Sequence, residues 1–113
     1  MRIDEQIRKD VAVLSVSKVL TTEPDVAPFH DRVESLVRDD IRKVVVDFSQ
    51  VRWFGSAMLG ALIASLATLR NAGGDLRLAG LTERMDGILA VTHLAGIFRT
   101  LDTVDRAVAS FEA

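Results

Sequence analysis

From Lys43 onward the chain alternates between two hydrophobic periods, and this alternation constrains the fold more than any other feature. Lys43–Phe48 is an apolar run led by Val44-Val45-Val46, and it reads as a buried central strand. A short polar turn follows, and a strongly apolar helical segment runs from about Ser56 to Asn71, with Leu59, Leu62, Ile63, Leu66 and Leu69 as its inward stripe. Asp75–Ala79 is a second strand, in which Leu76 and Leu78 alternate with Asp75 and Arg77. A third helix, capped by Thr82, carries Met85, Ile88 and Leu89. Ile97–Leu101 is a short last strand, and a terminal helix capped by Asp102 or Thr103 points Val104, Ala107, Val108 and Phe111 inward. Strands that alternate with helices need crossover connections, and crossovers build a parallel sheet.

The first third of the chain adds an edge. Residues 2–8 alternate loosely, Asp10 turns the chain, and Val11–Val16 is apolar on both faces, as in a hairpin. Thr21-Thr22-Glu23-Pro24-Asp25 then opens a helix with Val26, Phe29, Val33, Leu36 and Val37 inward. Pro28 is tolerated only in a first turn, so this helix is expected to begin near Asp25. Ala72-Gly73-Gly74 ends the central helix. The expected architecture is α/β: one domain over residues 1–113, a small mixed, mostly parallel sheet, and about four helices packed mainly on one side.

Several function classes fall away. With no cysteine among 113 residues there is no disulfide framework, thiolate metal site or cysteine nucleophile. Fourteen basic and 16 acidic residues are interspersed, giving a formal charge of −2 and no basic stripe for nucleic acid. The longest apolar run, Ala57 to Leu69, is shorter than the roughly 20 residues of a membrane span. MRIDEQIRKD is too polar for a signal peptide, so the expected location is cytoplasmic, with no direct membrane insertion. His30 and His93 are isolated, and Asp39-Asp40 sits among Arg38 and Arg42 as a solvated, ion-paired turn. Gly73-Gly74 lacks phosphate-loop spacing, and Gly55-Ser56 lacks the pattern of a hydrolase nucleophile.

What remains is Ser56, where a strand hands over to a helix whose first N–H groups lack partners. Two readings stand. The hydroxyl is an N-cap, bonded to the N–H of Met58 or Leu59. Alternatively it is presented to a partner and accepts a phosphoryl group, whose −1.5 to −2 charges suit a helix N-terminus. Trp53, Phe54 and Met58 surround it; Phe54 reads as core, whereas Trp53 and Met58 together resemble a binding surface.

The strand, the turn, Ser56 at the helix start, Leu59-Gly60-Ala61-Leu62 and then Ala72-Gly73-Gly74-Asp75-Leu76-Arg77-Leu78-Ala79-Gly80-Leu81 resemble a STAS domain of the anti-anti-sigma factor type. In that family the helix start commonly reads Asp-Ser-Ser/Thr-Gly-Leu-Gly. Here the aspartate position is Gly55, the acceptor position Ser56, the second hydroxyl Ala57 and the glycine Met58, while Leu59 and Gly60 match. The family's Gly-x-Leu-Asp corresponds to Lys18-Val19-Leu20-Thr21, so a second carboxylate is missing as well.

The resemblance implies a regulatory module without catalysis or cofactor. Its docking face would be Thr21, Thr22, Trp53, Gly55, Ser56, Ala57 and Met58, with Ser56 the phosphoacceptor. Its partner would be an anti-sigma factor, a serine protein kinase of the histidine-kinase-like ATPase family, with a phosphatase resetting the switch. The kinase would bring the nucleotide and magnesium. The chain would be a monomer or weak homodimer. The alternative is a docking subunit, not phosphorylated, of an ABC-type lipid transport complex or a stress-signalling scaffold; a small-molecule binding module is a third class.

Overall fold

The computed structural model describes residues 1–18 and 20–112. Its elements run β1 (Arg2–Arg8), β2 (Val11–Ser17), α1 (Glu23–Arg38), β3 (Lys43–Asp47), α2 (Ser56–Asn71), β4 (Asp75–Ala79), α3 (Glu83–Val91), β5 (Arg99–Leu101) and α4 (Val104–Ala109). The strands form one sheet in the order β1-β2-β3-β4-β5. β1 and β2 make an antiparallel hairpin, and every other neighbouring pair is parallel. This is the mixed α/β sheet the alternation demands.

Strands buried on both faces explain the unbroken apolar runs of β2 and β3. On one face Leu14, Val46 and Leu78 lie in a core completed by Phe29 and Val33 of α1, Leu62 and Leu69 of α2, and Met85 and Leu89 of α3. On the other face Val11, Val13, Val45 and Ala79 meet Ala107 and Val108 of α4 alone. Three helices therefore share one side, and the fourth closes the opposite side.

Two local expectations change. Helix α1 begins at Glu23, two residues before Asp25, because Thr22 and Asp25 close a reciprocal capping box. Asp25 Oδ2 accepts from the Thr22 N–H at 2.9 Å. Pro28 thus falls inside the helix, exposed, where its missing N–H forfeits the bond to the Pro24 carbonyl. On α2, Ile63 is 42% exposed and not part of the inward stripe; Met58 and Ser65 are buried in addition to Leu59, Leu62, Leu66 and Leu69. Strand β5 is shorter than expected, starting at Arg99.

The C-terminal end of α2 is closed as its glycines imply. The Gly74 N–H donates to Leu69 O at 2.8 Å and the Gly73 N–H to Arg70 O at 3.0 Å, the paired bonds of a Schellman ending. Gly73 takes φ 87°. A Cβ on Gly74 would lie 1.8 Å from the Arg42 carbonyl oxygen, so no other residue fits without backbone movement.

Candidate docking face at the start of helix α2

The loop from β3 to α2 is pinned at several points. Asp47 Oδ1 accepts from the Ser49 N–H at 2.9 Å, and its Oδ2 accepts from the Ser15 hydroxyl at 3.0 Å. Phe48 and Phe54 bury their rings with centroids 5.2 Å apart, and Val51 is buried between them in sequence. The Thr82 hydroxyl donates to the Arg52 carbonyl at 3.0 Å, tying the loop to the start of α3. With Val51 and Phe54 committed to the core, Arg52 and Trp53 are turned outward. Trp53 is 42% exposed. Its indole folds back over Gly55: a Cβ there would meet the ring's Cη2 at 3.3 Å. The Arg84 guanidinium sits 5.4 Å from the ring centroid, within cation–π range.

The start of α2 differs from the other helix starts. Thr22, Thr82 and Thr103 each cap their helix by accepting a backbone N–H bond three residues on. At α2 the N-cap is Gly55, extended at φ −102° and ψ −169°, with no side-chain cap and no acid in the first turn. This corrects the reading of Ser56 as the cap. The cap position lies one residue earlier, and Ser56 is the first helical residue, exposed. Its hydroxyl is not consumed in holding the helix.

The remaining candidate residues separate into surface and core. Thr21 and Thr22 are exposed, but the Thr22 hydroxyl is engaged with Asp25, to which it donates at 2.8 Å. Ala57 is half-buried beside Ser56. Met58 is fully buried, which corrects its place on the docking face: three residues beyond Gly55 the helix has turned it into the core. Of the Lys18–Thr21 segment, Val19 lies outside the described residues. Sequence reasoning missed Arg84, although parallel neighbours β3 and β4 necessarily bring their C-terminal loops together, and that signal was available in the strand order.

Between α1 and α2 runs a groove of about 420 Å³. Glu23 and His30 of α1 face Ser56, Gly60 and Ala64 of α2 across it. The far end is occupied by His30, whose Nε2 lies 3.1 Å from Thr68 Oγ1 and whose Nδ1 lies 3.6 Å from Glu34. At the near end, the Thr22 N–H and hydroxyl hold the Asp25 carboxyl below its ordinary pKa. Among the described residues no cluster of three or more His, Asp or Glu side chains is placed to hold a metal ion. No described helix is long and apolar enough to cross a membrane.

The family model described as "Mlab, STAS domain" matches residues 3–102. The chain belongs to the STAS domain family. A Thermotoga neapolitana protein named as an anti-sigma factor antagonist, a TM1081 homologue, is 27% identical over 104 residues, 91% of each chain. The crystal structure of TM1081 from Thermotoga maritima superposes with a TM-score of 0.90 at 24% identity, covering 98% of this chain and 95% of that one. The phosphorylated Bacillus cell fate determinant SpoIIAA superposes with a TM-score of 0.75 at 12% identity, covering 98% and 100%. Set against the family's helix-start pattern, this STAS domain carries an indole over a glycine where the pattern has an aspartate.

Proposed function

We propose that this STAS domain is a non-catalytic protein-binding module that antagonises an anti-sigma factor, and that phosphorylation of Ser56 ends the association. One observation carries the reading: of the four helix starts, only that of α2 lacks a side-chain cap, and an exposed hydroxyl stands there. Four backbone N–H groups at a helix start have no intrahelical partner. A phosphate on Ser56 would meet those donors and the positive end of the helix dipole, so the fold tolerates it. The same charge would disrupt an apolar or acidic partner surface. Association would be switched while the carrier stays folded.

The docking face comprises Thr21, Trp53, Gly55, Ser56 and Ala57, with Thr22 supporting it as the cap of α1. Trp53 supplies an anchor of the kind that dominates binding energy, and the Arg84 guanidinium lies over its ring. The partner is an anti-sigma kinase of the histidine-kinase-like ATPase family, which brings nucleotide and magnesium; a phosphatase restores the unmodified serine.

A second reading is favoured by Gly55 and by the Mlab description of the matching family model. Without a carboxylate beside the acceptor, the same face would serve as a constitutive docking surface in an ABC-type lipid transport complex. The deciding experiment is intact-mass spectrometry with peptide mapping after incubation with ATP, magnesium and the anti-sigma kinase encoded nearest to this chain. One phosphate, on Ser56, supports the switch. No phosphate with a stable complex supports constitutive docking. Neither phosphate nor complex overturns the antagonist reading.

A further inference from the structure

Strand β1 has β2 on one side and, among the described residues, no strand on the other. It pairs with β2 residue for residue from Arg2↔Ser17 to Arg8↔Val11, without a bulge or a proline. Its outer edge is therefore a regular row of backbone donors and acceptors. Natural edge strands are usually shortened, bulged or interrupted to prevent pairing with another chain. This one carries only charge, and the charges are arranged in a particular way. Arg2, Asp4, Gln6 and Arg8 share a sheet face with Val11 and Val13, the side of α4. Ile3, Glu5 and Ile7 share the face of the larger core.

We propose that β1 pairs antiparallel with β1 of a second copy of this chain, about a two-fold axis through Gln6, giving a continuous ten-stranded sheet.

The register follows from symmetry and charge. An axis perpendicular to the sheet must pass through a residue, because paired residues share a face. Centring on Glu5 sets Arg2 against Arg8 twice and Glu5 against Glu5. Centring on Asp4 sets Asp4 against Asp4. Centring on Gln6 sets Asp4 against Arg8 twice, with the two Gln6 side chains facing each other. Like charges directly opposite destabilise a sheet and opposite charges support it. Centring on Ile3 or Ile7 leaves only three strand residues per copy to pair, so among the registers that pair five or more the charges select the one through Gln6.

Asp4 lies 3.4 Å from Arg2 of its own strand, an exposed contact it would share with the second copy's Arg8, and the other neighbouring contacts fit that register. Asp105 of α4 holds the Arg8 guanidinium at 2.7 Å on the face where the second copy's Asp4 would arrive. Arg32 of α1 draws the Glu5 carboxylate aside at 3.1 Å, leaving its methylenes to cover Ile7 of the other copy. Ile7, 46% exposed here, is the apolar side chain left open near this edge. Five residues per copy, Asp4 to Arg8, form a contact smaller than that of stable complexes, so the dimer is a weak one.

Sedimentation equilibrium at low ionic strength, over a wide range of protein concentration, tests this. Wild type should rise from monomer to dimer mass with concentration. Asp4→Arg and Arg8→Asp should each weaken association by about tenfold, since each turns two attractive pairs into repulsive ones. The double variant, Asp4→Arg with Arg8→Asp, should restore it. Asp105→Asn removes the partner of Arg8 on α4 and should leave association within about twofold. Circular dichroism of each variant shows whether it is folded. A monomer at every concentration overturns the proposal. So does a dimer indifferent to the single reversals, a double variant that is not rescued, or a loss on Asp105→Asn equal to that on Arg8→Asp.

Discussion

Helices α1 and α2 are both 16 residues long and pack side by side, yet their first turns are built on opposite principles. At α1, Thr22 and Asp25 satisfy each other's backbone donors, and Glu23 adds a second acid near the positive end of the dipole. At α2 the cap is a bare glycine and the first turn holds no acid. The backbone offers no obstacle, since Gly55 already has the extended conformation that a capping serine or aspartate adopts. What occupies the place of a side chain is the Trp53 ring. The start of α1 follows the local capping rules, and the start of α2 leaves them unfilled, as a proposed docking site would.

The largest expected effect bears on the other end of α2, which is closed as firmly as its start is open. Gly74→Ala places a methyl group against the Arg42 carbonyl and should cost about 3 kcal/mol, read as a lowered midpoint in urea unfolding. Thr22→Ala opens the start of α1 and should cost about 1 kcal/mol by the same measurement. Ser56→Asp adds a carboxylate to the open start of α2 and should raise stability by about 0.5 kcal/mol. The same variant should lose affinity for the anti-sigma kinase in calorimetric titration; unchanged affinity would break the switch reading while leaving the helix argument intact. Gly55→Asp supplies the missing cap but must displace the indole by a few tenths of an ångström. Its net effect should be a gain of only about 0.3 kcal/mol in thermal unfolding.

The contrast also has a pH signature. Asp25 titrates below its ordinary value because the Thr22 backbone N–H and hydroxyl bond its ionised form. A carboxyl whose folded pKa is depressed adds stability above its unfolded pKa and loses it as pH falls through the folded one. Thr22→Ala keeps the backbone N–H and loses the hydroxyl, so its gap in unfolding midpoint from wild type should narrow in acid, without closing, and widen towards neutrality. The start of α2 has no acid in its first turn, so Ser56→Ala should show a pH-independent offset from wild type.

Much of this was legible in the sequence. The bounds of α2 and β4 followed from a change of hydrophobic period at Ser56 and from Gly73-Gly74 at the exit. The cap Thr82 was visible as a hydroxyl before an apolar run, and of the two candidates Asp102 and Thr103 the structure places the last cap at Thr103. The start of α1 was misread because a helix-interior proline is costly on its own terms, and that argument outweighed the Thr22-x-x-Asp25 pattern of a capping box, which stands in the sequence. The exchange of Met58 and Ile63 between core and surface has another cause. Helix α2 is apolar nearly all round, so its pattern fixes that it is a helix better than which way it is rotated. The displacement of the cap from Ser56 to Gly55 is a one-residue shift, within the ordinary uncertainty of a helix boundary, yet it decides whether the hydroxyl is employed or free. The packing of Arg84 on Trp53 joins residues 31 positions apart and required the sheet order.

The placement of Trp53 has an optical consequence. The chain contains one tryptophan and no tyrosine. Excited near 295 nm, the usual wavelength for selecting indole, roughly all of its ultraviolet emission comes from the start of α2, and the amphipathic ring senses the wetness of its surroundings. Modification of Ser56, a change at Gly55, or a partner settling over the ring should each shift the colour of that emission or its accessibility to a quencher. The start of α2 thus carries its own fluorophore, and the proposed docking there can be followed without attaching anything to the protein.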